Sequence, residues 1–164
     1  MANKQNFTPD EWCQVLESVM LAGIAVSAAD PNGLWGTVKE AYVNSSALRT
    51  ARHDVASNEL IKAALTDLET SEGRSSVQKA LRERFAAATP AECVTRSLAS
   101  LTAVAAILDT KAPDDAPAFK AWLCSVSRQV ADASTEGGFL GLGGQRVSDA
   151  EKATLDDISR CLDA

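Results

Sequence analysis

From Trp12 onward, apolar residues return at spacings of three and four: Trp12, Val15, Leu16, Val19, Met20, Gly23 and Ile24. That period marks an amphipathic helix, here over about 9–28. Val94, Leu98, Leu101, Ala105 and Leu108 predict a second long helix, ending near Thr110 before Pro113. Phe119, Trp122, Val126, Val130 and Ala133 predict a third over about 114–134, and Leu155, Ile158 and Leu162 a last one over about 148–163. Three shorter stripes lie between 34 and 88: Leu34/Val38/Ala41/Leu48, Ile61/Leu65/Leu68 and Val77/Leu81/Phe85, with breaks near 50–55 and at Glu72-Gly73. No stretch alternates with period two for long enough to make a strand. The pattern predicts an all-α bundle of six or seven helices, one domain over 1–164, with Trp12, Leu16, Leu98, Leu101 and Trp122 buried together.

Three capping boxes sharpen the helix starts: Thr8-Pro-Asp-Glu11, Thr89-Pro-Ala-Glu92 and Ser148-Asp-Ala-Glu151. In each, the hydroxyl can accept from the third helical N–H while the Glu reaches back to the cap N–H. Pro at the first helical position suits two of them, because its missing donor would have been orphaned there. A faint internal echo also runs through the chain. AVSAADPNGLWG (25–36) and QVADASTEGGFLGLGG (129–144) each place small residues, an acid, then Gly, a large apolar residue and Gly after a long apolar helix.

Composition changes the picture in three places. Abundant Ala, with Phe, Trp and Tyr at only 5%, favours close helix–helix packing over aromatic layers. A net charge of −6 opposes nucleic acid, whose binding draws on Lys and Arg neutralising phosphates. Lys79, Arg82 and Arg84 are interleaved with Glu83 and read as a solvated helix face. Cys13, Cys93, Cys124 and Cys161 form no Cys-x-x-Cys pair, so they read as small core hydrophobes in a reducing cytoplasm. The opening MANKQNFTPDEW has no apolar segment of the secretory kind. VMLAGIAVSAA (19–29) and LASLTAVAAIL (98–108) are shorter than the roughly 20 residues a bilayer span needs, so no transmembrane segment is expected.

Candidate chemistry is sparse. Five glycines fall within 137–144 around Phe139, Leu140 and Leu142. A dinucleotide fingerprint needs a preceding strand and a third glycine, and a P-loop needs a Lys; this loop has neither. Either its apolar side chains tuck over the bundle, or they form a patch for a partner. Arg146, two residues before the Ser148 cap, is placed for an anion beside a helix start. His53 is the only histidine and reads as a surface residue on a turn. Ser45-Ser46 and Ser75-Ser76 lack the strand–turn–helix setting of a nucleophile elbow. Asp30-Pro-Asn-Gly33 resembles the start of an EF-hand loop, but Trp35 and Ala41 stand where that loop needs Gly and Glu. Asp114-Asp115 and Asp156-Asp157 read as solvated acids near helix ends.

FTPDEWCQVLESVMLAGIAVSAADPNGLWG and FKAWLCSVSRQVADASTEGGFLGLGGQRVSDAEKATLDDI resemble the N- and C-terminal signatures of a group of small all-helical bacterial proteins of unassigned function. More distantly, Val147-Ser148-x-x-Glu151, with Ala131-Asp132 and Ala29-Asp30 ahead of their glycines, is similar to tellurite-resistance TerB-type helical domains. That resemblance implies a divalent-metal or small-ligand module using Asp30, Asp132 and Glu136. The residues themselves point elsewhere: a cytoplasmic, non-enzymatic protein without resident cofactor, associating with a protein partner or with itself. Phe139, Leu142 and Arg146 would be its contact residues.

Overall fold

A computed structural model describes residues 1–30, 58–136 and 147–163, with side chains only through Asp132 in the second segment. The described chain is all-α: a short 3-10 turn at Lys4–Asn6, then α1 (Pro9–Ala29), α2 (Glu59–Glu69), α3 (Ser71–Arg84), α4 (Pro90–Lys111), α5 (Ala116–Glu136) and α6 (Asp149–Asp163). The expected stripe Leu34/Val38/Ala41/Leu48, the break near 50–55, His53, Ser45-Ser46 and most of both echo segments lie outside the described residues.

All three capping boxes form. Thr8, Thr89 and Ser148 each accept from the third helical N–H, and their own N–H groups donate to Glu11, Glu92 and Glu151 at 2.8, 2.7 and 2.8 Å. The backbone N–H of Thr8 holds the Glu11 carboxyl below the ordinary carboxylate range, and that of Thr89 does the same to Glu92. A lowered folded-state pKa gives stability that is present above the unfolded value and lost as pH falls through the folded one. Acidification below the unfolded Glu value of about 4.3 should therefore weaken the starts of α1 and α4. Melting curves across that range should fall less steeply for Glu11→Gln/Glu92→Gln; an unchanged slope would remove the caps from the acid response.

The central element is α1, which packs against all five of the other described helices. Its residues from Val15 through Val26 are buried without interruption, so it is enclosed on every side rather than along one stripe. Lys111 reaches Glu11 at 3.6 Å, so α4 ends where α1 begins and the two run antiparallel. The Ala2 N–H donates to Asp115 at 2.6 Å, which puts the start of α5 at that same end. Cys124 lies 3.9 Å from Ser159, so α6 packs beside α5. The ends of α1 and α5 and the start of α4 therefore share the opposite end.

Two expectations need correction. Leu98 and Val94 are only partly buried, whereas Cys93, Ser97, Leu101, Val104, Ala105 and Leu108 face inward. Antiparallel packing sets the small Cys93 and Ser97 against the Ala22–Ala28 half of α1. Side-chain size at the contact sets how near two helix axes come, so small residues win these inward positions over Leu98. The break between α2 and α3 lies at Thr70, not at Glu72-Gly73. Thr70 ends α2 and caps α3, while Gly73 sits in the first turn where an added Cβ would lie 2.1 Å from the Asp67 carbonyl oxygen. The glycine signal was real, but it marked a close backbone approach.

Candidate functional site

The expected metal ligands are only partly described. Asp30 caps the end of α1 and is half-buried, and Asp132 is exposed near the end of α5. Topology thus brings them to one end of the bundle. Both hold interactions of their own. The Glu136 side chain and the whole of Phe139, Leu142 and Arg146 lie outside the described residues. Among the described residues, no group of three His, Cys, Asp or Glu is placed to hold a metal ion.

At the other end, two acids have structural partners that their sequence setting did not reveal. Asp115, expected to be solvated, is buried: its Oδ2 accepts from the Ala2 N–H and its Oδ1 from Asn58 at 3.1 Å. Asp67 Oδ2 accepts from the Trp12 indole at 2.7 Å and from Lys4 at 3.1 Å. Together these contacts tie the N-terminal turn to α1, α2 and the start of α5. A groove beside them is lined by Gln5, Glu59, Lys62, Thr66 and Asp67, with Trp12 at its base.

Glu17, in the middle of α1, is a buried charge, 3% exposed. Arg84, the last residue of α3, donates to its Oε2 from Nε at 3.1 Å and from Nη2 at 2.8 Å. Burial raises the Glu17 carboxyl above its ordinary pKa, and Arg84 offsets only part of that rise. Burial, with Glu17 next, also pushes up the nearby Cys13 thiol, which makes it a poor nucleophile. Arg84 therefore does not belong to the solvated face expected from Lys79 and Arg82. A sequence signal existed: Glu17 is the one charged residue inside the run from Trp12 to Ala29, and an ion in such a place demands a partner. The four cysteines form no disulfide; Cys93 is buried and the others are half-buried.

Arg96 of α4 completes this corner. Its Nη1 donates to the Arg84 carbonyl at 2.7 Å, satisfying an acceptor at the end of α3. Beyond the two guanidiniums lies an open groove of about 450 Å³ whose remaining walls are Gln14, Ala99, Ser100 and Ala103.

The outer side of α4 is the other notable surface. Thr95, Ala99, Thr102, Ala103, Ala106 and Thr110 are all exposed. The helices α1 and α4 are both long and apolar enough to cross a membrane, with mean hydropathy 1.5 and 1.4 over their most apolar windows. The sequence expectation counted only uninterrupted runs of apolar residues; the helices carrying those runs have 21 and 22 residues. Length and composition are weak grounds for a span, since a buried core helix meets the same test, and 78% of the α1 window is buried. In α4 the buried share is 33%. The chain matches no protein-family model, no curated protein and no solved structure.

Proposed function

We propose that this is a non-enzymatic helical module acting through protein–protein association, with the outer face of α4 as its contact surface. The observation that supports this is the contrast between two helices of nearly equal hydropathy, one 78% and the other 33% buried in its apolar window. The side chains that α4 leaves exposed over several turns are mostly Ala and Thr, a smooth face of small residues. Ala99, Thr102 and Ala106 are short, so another helix can approach the α4 backbone closely. The partner this reading commits to is a second copy of the chain. Its own α4 offers the same smooth face, and a two-fold contact needs only one kind of surface. The non-enzymatic part of the reading rests on the sequence, with its single histidine and no Cys-x-x-Cys pair.

Light scattering across a concentration series tests the reading. The wild type should shift from monomer to dimer mass, and Thr102→Glu/Ala106→Glu should remain monomeric with an unchanged melting temperature. A wild type that stays monomeric throughout would overturn self-association. Adsorption of that monomer to lipid vesicles, abolished by the same double change, would assign the face to a membrane instead.

A further inference from the structure

We infer that the groove between α1, the end of α3 and α4 is a binding site for an oxyanion, the carboxylate or phosphate group of a small molecule. Two guanidiniums from different helices converge on it, and both are held in place from behind. Arg84 is fixed by two bonds to the buried Glu17, and Arg96 by its bond to the Arg84 carbonyl. A guanidinium carries five N–H donors. The bonds described use two from Arg84 and one from Arg96, and both side chains line the groove.

The charges around the groove favour Arg96 as the principal anchor. Glu17 already neutralises Arg84 at 2.8 Å. Glu92 approaches Arg96 only to 3.7 Å, and its other oxygen is engaged by the Thr89 N–H at 2.7 Å. Arg96 is thus the less neutralised cation, with its side chain 41% exposed. Planar guanidinium forks match carboxylate and phosphate geometry, which gives orientation as well as attraction. Gln14, which also lines the groove, carries a neutral amide donor. Ala99 and Ala103 line the groove with short side chains, so a longer side chain at either would reduce its volume. The overall charge of −6 does not forbid binding, because charges more than about 8 Å away are largely screened at physiological salt.

Calorimetric titration of the full chain with inorganic phosphate and with citrate, at constant ionic strength set by chloride, tests the site. Saturable binding of one anion per chain is expected, with Kd on the order of 1 mM for a half-open groove. The better ligand of the two identifies the group recognised. Arg96→Gln should weaken binding by about tenfold or more, through loss of charge-assisted hydrogen bonds. Arg96 also supports the end of α3, so a second variant is needed that leaves it intact. Ala103→Glu places a carboxylate of the chain's own in the groove and should abolish anion binding while keeping the melting temperature. Non-saturable heats, or equal affinity in the wild type and Ala103→Glu, would overturn the assignment. Ala103 also lies on the outer face of α4, so the titrations are run at chain concentrations where light scattering gives monomer mass, which separates loss of anion binding from loss of self-association.

Discussion

Leu101→Ala is expected to cost about 2–5 kcal/mol, whereas Leu98→Ala should cost about 1 kcal/mol or less. Both are leucines on α4, three residues apart, and both belong to the apolar repeat of that helix. Leu101 is fully buried against α1, so its truncation removes transfer free energy and leaves a cavity among neighbours that cannot collapse into it. Leu98 sits on the flank, where water replaces the missing atoms. Denaturant unfolding with an unchanged m-value measures both losses on one scale. Equal losses would mean that α4 is turned by about one residue, near 100°, from the orientation described.

That comparison also shows how far the sequence could be read. The period of three and four fixes that a helix exists, and the threonine boxes fix where α1 and α4 begin, because both are local properties of the chain. Which neighbouring residue points inward is decided by the partner helix. On α4 the choice between Leu98 and Ser97 depends on the small side chains of α1, more than 60 residues away in sequence. Hydrophobicity alone ranks those two the wrong way round. Asp114 and Asp115 make the same point: adjacent acids at one helix start, of which Asp115 alone is buried by the Ala2 N–H and Asn58. The candidate groove was less legible than the fold, since Arg84 and Arg96 come together only through the turn between α3 and α4. Its one local clue was Glu17, a charge surrounded by apolar residues.

Glu17 carries the second large expectation. Arg84→Met should destabilise the protein by about 3 kcal/mol near neutral pH, the lower part of the range for breaking a buried pair. The lower part applies because the Arg84 side chain keeps 29% exposure, which lets water answer some of the lost charge. The cost comes from leaving the Glu17 carboxylate enclosed without a counter-charge, so it should depend on that charge. Glu17→Leu/Arg84→Met should recover most of the loss, as apolar replacements of buried pairs often do. The pH dependence supplies an independent sign. Burial raises the Glu17 pKa in the folded state, and removing Arg84 removes the group that offsets the rise. A raised carboxyl pKa means the folded state takes up a proton more readily than the unfolded chain. Its favourable contribution is complete below the unfolded Glu value of about 4.3 and is lost as pH rises through the folded one. The Arg84→Met deficit should therefore shrink as pH is lowered toward that value, measured by denaturant unfolding at each pH. A deficit that stays constant, with no recovery in the double variant, would show that Arg84 contributes through the packing of its stem rather than through the ion pair.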